Sequence, residues 1–176
     1  MPNENSSSFA ESLEVQAGVW LRRSNLKLVT AESCTGGLVG HRLTNVPGSS
    51  DYYLGGFLAY ANEAKERLLG VRHETLLRHG AVSAEVVLEM AHGARQALAE
   101  DTPFDRLVGV SVSGVAGPGG GSPEKPVGTV WIGLSAPDVE RAWVFYWQGD
   151  RIKNKELSAE QALSILLDYL KGKVTV

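Results

Sequence analysis

Ser33 is the residue of this chain best placed to do chemistry. It lies in Ala31-Glu32-Ser33-Cys34-Thr35-Gly36-Gly37, where the β-rich run Leu26-Lys27-Leu28-Val29-Thr30 gives way to glycines and then to the helix-like stretch Leu38 to Leu43. A tight strand-to-helix turn displays a side chain and gathers unbonded backbone N–H groups beside it, which is what a nucleophile with an oxyanion hole requires. The same residues also suit a plainer role, in which Ser33 or Thr35 caps the helix and Gly36-Gly37 packs it against the sheet.

A serine nucleophile needs a base. None of His41, His73, His79 or His92 falls in an obvious strand-end loop with a carboxylate partner, so a Ser-His-Asp triad is not indicated. Lys65 is the better candidate. It follows Asn62, read as a helix cap, by three residues, and the positive end of the helix dipole disfavours an ammonium there. Desolvation would add to this and leave an amine able to take the Ser33 proton, whereas a solvated helix lysine is the ordinary alternative. Tyr60, at the end of the second strand, can bond to the same group or shuttle a proton, or simply pack. Cys34 is the rival nucleophile, because thiolates form readily at helix N-termini, and a small buried hydrophobe otherwise.

A second candidate segment runs from Ser113 to Ser122, with Gly114, Gly117, Gly119 and Gly120 free of the Cβ that keeps backbone N–H groups from an anion. It lacks P-loop spacing and the Gly-Lys-Ser/Thr ending, so nucleoside triphosphate hydrolysis is not indicated. A surface loop is the bland reading, and ligand contact the functional one. Lys125 and Arg151 can supply positive charge for a phosphate.

These segments need elements to hold them. Helical spacing is read over Phe9 to Arg22, Leu38 to Leu43, Glu63 to Leu69, the Ser83-capped stretch through Leu98, and Ser158 to Leu170. Strands are read at Leu26 to Thr30, Gly55 to Ala61, Leu107 to Gly114, Thr129 to Leu134 and Ala142 to Trp147, the last two joined by a turn at Pro137-Asp138. In the third, Val108, Val110 and Val112 alternate with Gly109, Ser111 and Ser113, which puts valines and serines on opposite faces. Helices between the early strands imply parallel crossovers and the late hairpin an antiparallel edge. The expected fold is α/β, a three-layer α/β/α sandwich around a mixed, largely parallel sheet, with its site at strand carboxyl ends.

At 176 residues the chain suits one domain, expected over 9–176 after a frayed tail at 1–8. No apolar stretch approaches the length of a membrane span, and the first residues lack the pattern of a signal peptide. With Cys34 as the sole cysteine there is no internal disulfide or multi-cysteine metal site, which fits a reducing cytoplasm. A net charge of −3 without a basic stripe argues against nucleic-acid binding.

The motifs Ala31 to Gly37, Tyr60-Ala61-Asn62-Glu63-Ala64-Lys65, His79-Gly80-Ala81-Val82-Ser83, Ser113 to Pro118, Lys125-Pro126-Val127-Gly128-Thr129-Val130 and Gly149-Asp150-Arg151, in this order, resemble the CinA C-terminal domain family, the nicotinamide-nucleotide amidases. The resemblance runs from about Leu13 to the last helix. It implies hydrolysis of the carboxamide of nicotinamide mononucleotide to nicotinic acid mononucleotide and ammonia, in pyridine nucleotide recycling, with no metal or organic cofactor. It makes Ser33 the nucleophile, Lys65 its general base and Tyr60 an aid to proton transfer, with N–H groups near Thr35 and Gly36 at the oxyanion.

Ser113, its glycine loop and Arg151 would hold ribose and phosphate. Two departures stand out. The nucleotide-related domain that often precedes this one in CinA proteins is not in the sequence, so no pyrophosphatase activity is expected. The basic residue expected a few positions beyond Arg151 has no clear counterpart at Ile152 to Asn154, which bears on phosphate recognition. The partners expected are a small nucleotide substrate and a second copy in a dimer, with no nucleic acid and no membrane. The alternatives are a non-catalytic nucleotide-binding or regulatory module, and a DNA-associated competence protein, which the acidic balance disfavours.

Overall fold

The computed structural model describes residues 12–174. The expected tail, the start of the first expected helix at Phe9, and the last two residues lie outside them. Five strands, β1 (Lys27–Glu32), β2 (Tyr53–Leu58), β3 (Leu107–Gly114), β4 (Thr129–Ser135) and β5 (Glu140–Tyr146), form one sheet in the order β2-β1-β3-β4-β5. β1 pairs in parallel with β2 and with β3, while β3–β4 and β4–β5 are antiparallel. The sheet is therefore mixed, with its parallel half carrying the ends that matter for chemistry.

Helices α1 (Leu13–Ser24), α2 (Leu38–Thr44) and α6 (Arg151–Leu170) cover one face, and α3 (Asn62–Leu69), α4 (His73–His79) and α5 (Ala84–Ala97) the other. Each face seals a separate core. Leu28, Val108, Val110, Val112 and Ile132 meet Leu163 and Leu166 of α6, while Val29, Ala31 and Leu107 meet Val86, Met90 and Ala94 of α5. With both faces covered, β3 is buried almost throughout, as a central strand should be.

The alternation expected in β3 is observed, and its small residues have a purpose. Valines fill the α6 face; on the other, Ser111 Oγ donates to the Val87 carbonyl at 2.5 Å and Ser113 Oγ to the Ala81 carbonyl at 2.8 Å. A Cβ on Gly109 would stand 2.2 Å from the Ala91 carbonyl oxygen, so only glycine lets α5 lie this close to the sheet.

Some boundaries differ from the expectation. β2 ends at Leu58, because beyond it Ala59 N–H makes a last bond to Glu32 O at 2.9 Å and the chain then turns into α3. The N-cap of α3 is Ala61, without a side-chain bond, and Asn62 is already helical. α6 begins seven residues before the expected Ser158, capped by Asp150, whose carboxylate accepts from Lys153 N–H at 2.8 Å. Helix α4 was not anticipated: of its seven residues only Thr75 and Leu76 are buried, too few to write a periodicity. Ser83 caps α5 as expected, accepting from Val86 N–H at 3.4 Å.

Candidate active site

The carboxyl ends of the three parallel-paired strands converge on one cleft. Ser33 follows β1, Tyr60 follows β2, and Gly114 closes β3; Lys65 of α3 and Arg151 of α6 complete the walls of a cavity of about 180 Å³. Its chemical centre is Lys65, 1% exposed. Nζ lies 3.1 Å from Ser33 Oγ, 3.0 Å from Ala59 O and 2.8 Å from Tyr60 O.

The two carbonyls can only accept, so they fix two N–H bonds of Nζ and aim its third position at Ser33 Oγ. That position can hold a proton donated to Oγ, or a lone pair that accepts the hydroxyl proton. Both protonation states of the lysine are thus satisfied without rearrangement. Burial lowers the Lys65 pKa from its ordinary 10.5, favouring the neutral amine. Ser33 is itself buried and held by its N–H on Val112 O at 2.9 Å.

Cys34 is placed differently. It is 5% exposed within the core on the α6 side, and burial pushes its thiol up to about 12. A thiol so protonated is a packing group and not a nucleophile at neutral pH.

The turn that displays Ser33 depends on a residue the sequence reading passed over. Glu32, 3% exposed, takes Gly37 N–H at 3.0 Å and Val39 N–H at 3.1 Å on one oxygen and Gly40 N–H at 2.8 Å on the other. No other side chain caps α2; its N-cap is Gly37 at φ 93°, a conformation that favours glycine. Glu32 thus occupies the N–H groups at the start of α2 that an incoming anion would otherwise meet. Gly36 N–H closes the turn on Ser33 O at 3.1 Å, so the oxyanion role expected of Gly36 is already taken. The N–H groups of Cys34 and Thr35, which lie by the Cys34 sulfur, are bonded neither to a backbone carbonyl nor to Glu32. Glu32 O also bonds Ala59 N–H, and Ala59 O holds Lys65, so one residue fixes the frames of both Ser33 and Lys65.

Tyr60 reaches Lys65 through its carbonyl, while its hydroxyl accepts from Arg151 Nη2 at 3.1 Å. Arg151 Nη1 donates to Gly117 O at 2.6 Å. This guanidinium therefore ties the end of β2 to the glycine loop across the cleft mouth. Asn154, buried, holds the same loop from beneath: its Nδ2 donates to Ala116 O at 3.1 Å and its Oδ1 accepts Gly149 N–H at 3.0 Å.

The rest of the glycine segment is only partly brought in. Ser113, Gly114 and Ala116 line the cleft, but Gly117, Gly119 and Gly120 do not. Gly114 is demanded by packing, since a Cβ there would meet the Thr129 carbonyl oxygen at 2.8 Å. Lys125 Nζ bonds the His79 carbonyl and does not line the cleft. Thr35, Gly36 and Gly37 face a separate, larger cavity between α2 and α6, together with Lys155. Beyond Arg151 the stretch Ile152 to Asn154 does hold a basic residue, Lys153, which pairs with Glu156, and Lys155 follows it at the second cavity. Among the described residues no His, Cys, Asp and Glu cluster could hold a metal ion, and no helix is long and apolar enough to cross a membrane.

Comparison with known proteins shows the family of the chain. The sequence profile of the CinA C-terminal domain matches residues 10–170. The chain belongs to that family. A CinA-like protein of Salinibacter ruber is 50% identical over 152 residues, covering 86% of this chain but 35% of its own length. The chain thus spans little more than a third of the curated relatives it matches. Among solved structures, a competence-damaged protein (CinA) superfamily protein from Klebsiella pneumoniae superposes with a TM-score of 0.83 at 31% identity, covering 91% of this chain and 96% of that one. The competence/damage inducible protein CihA of Agrobacterium tumefaciens gives 0.73 at 37% identity, covering 89% and 96%.

Proposed function

We propose that this CinA-domain protein is an amidohydrolase that converts nicotinamide mononucleotide and water into nicotinic acid mononucleotide and ammonia, through Ser33 and Lys65. The observation that carries the reading is the buried Lys65 Nζ, fixed by two carbonyls and directed at Ser33 Oγ 3.1 Å away. A structural lysine in a helix has no need of this.

In the proposed sequence, neutral Lys65 accepts the Ser33 hydroxyl proton as Oγ bonds to the amide carbon. The tetrahedral oxyanion is met by the N–H groups of Cys34 and Thr35, the two in the turn not bonded to Glu32 or to a backbone carbonyl. Lys65 returns the proton to the amide nitrogen, the C–N bond breaks and ammonia leaves. Water, deprotonated by Lys65, then attacks the ester, and Ser33 leaves with the proton that Lys65 holds. Tyr60 contributes through its carbonyl, which orients Lys65, and through its hydroxyl, which anchors Arg151 at the cleft mouth. No cofactor enters any step.

Incubation of the purified protein with nicotinamide mononucleotide, with chromatography of the nucleotide and an ammonia assay, tests this. Equimolar nicotinic acid mononucleotide and ammonia are expected. Saturable binding of the nucleotide with no product would replace the amidase by a non-catalytic nucleotide-binding module.

A further inference from the structure

The cleft at Ser33, about 180 Å³, is smaller than the roughly 300–1,000 Å³ of ordinary small-molecule sites. It suits a ring and its carboxamide, not a whole nucleotide. A larger cavity, about 410 Å³, lies on the other side of the same turn, between α2 and the first turns of α6. Ser33 and Cys34 line the first cavity, and Thr35, Gly36 and Gly37 the second; on α6, Arg151 lines the first and Ile152 and Lys155 the second.

Lys155 sets the chemistry of the larger cavity. Its half-buried side chain lies over the turn, with Nζ 3.4 Å from where a Cβ of Gly36 would be. The carboxylate next in sequence, Glu156, is engaged by Lys153 at 3.5 Å, and the Lys155 Nζ has no hydrogen-bond or ion-pair partner among the described residues. His41 and Glu156 also line the cavity, while Ile152, 62% exposed, offers an apolar wall.

The two cavities adjoin, as one ligand spanning both requires. Gly36 N–H bonds Ser33 O, and a turn of this kind holds its first and fourth Cα atoms within about 7 Å. With Lys155 Nζ over Gly36, the two cavities open on either side of the turn that carries Ser33. By contrast, the Arg151 guanidinium is already engaged by Gly117 O and Tyr60 OH.

We infer that the cavity between α2 and α6 is the subsite for the anionic, phosphomonoester end of the substrate, with Lys155 as its specificity-determining cation. This rests on the amidase reading for the substrate but not for the site. The test compares nicotinamide mononucleotide with its dephosphorylated riboside on wild type, Lys155→Ala and Lys155→Arg. Loss of a charge-assisted bond to phosphate should raise the ratio of KM for the nucleotide to KM for the riboside about 10-fold or more in Lys155→Ala. Lys155→Arg should restore most of the difference.

An unchanged ratio, or an equal rise for both substrates, overturns the inference while leaving the amidase intact. If wild type turns over neither compound, the amidase reading falls and thermal protection by inorganic phosphate decides the site. Protection of wild type that is lost in Lys155→Ala upholds the site; protection equal in the two proteins, or absent from both, overturns it.

Discussion

Replacing Lys65 by methionine keeps an unbranched apolar stem in a buried position and removes the group hydrogen-bonded to Ser33 Oγ, the base of the proposed mechanism. Loss of a positioned acid–base group should cost about 10²–10⁴-fold in turnover. The effect on stability is a balance. Ala59 O and Tyr60 O lose their Lys65 donor, at about 1–3 kcal/mol for an orphaned buried group. Against this, the pocket desolvates the protonated form of Lys65, which is what lowers its pKa.

The sign follows from the lowered pKa. The unfolded lysine titrates near 10.5 and the folded one below it, so between those two values the unfolded chain holds more protons. Wild-type stability conferred by this group is therefore complete above 10.5 and is lost as pH falls through the folded value. Lys65→Met has no such dependence. Melting temperatures of the two proteins from pH 7 to 10, beside ammonia release, read both effects. The variant should fall further behind wild type as pH rises, with activity lost throughout. A folded Lys65→Met that keeps more than about a tenth of wild-type turnover would refute the role given to Lys65.

Other perturbations separate framework from chemistry. Glu32→Gln leaves one carboxamide nitrogen facing a backbone N–H of α2 and should cost about 1–3 kcal/mol, about 2–4 °C in Tm for each kcal/mol, with a fall in kcat larger than any change in KM. Cys34→Ala should retain turnover, and native Cys34 should resist iodoacetamide at pH 8 until the protein unfolds, since its thiol is pushed up to about 12. Gly109→Ala forces a methyl against the Ala91 carbonyl oxygen and should destabilise by about 1–3 kcal/mol in a urea titration through overpacking between α5 and β3.

The central fold was legible because the forces that shape it write period and composition into the chain. The valine–serine alternation of β3 located that strand, and the turn at Pro137-Asp138 the hairpin after it. Ser33 was legible from its turn, and Lys65 from its place in the first turn of α3. What stayed hidden depends on tertiary contact. Glu32 reads as an ordinary strand-end carboxylate until α2 folds over it, its one signal being a charge at the end of an apolar run. Asn154 and Lys155 belong to the polar opening of α6, where apolar spacing is weak, so the helix was started too late and both were missed. The glycines at Gly119 and Gly120 suggested an anion cradle, whereas the chain places them away from the cleft.

Ammonia release from nicotinamide mononucleotide by wild type and by folded Ser33→Ala, Lys65→Ala and Cys34→Ala variants bears most directly on the serine–lysine amidase. The account predicts turnover in wild type and Cys34→Ala and its loss in Ser33→Ala and Lys65→Ala. Turnover that survives in Ser33→Ala, or disappears only in Cys34→Ala, would contradict it.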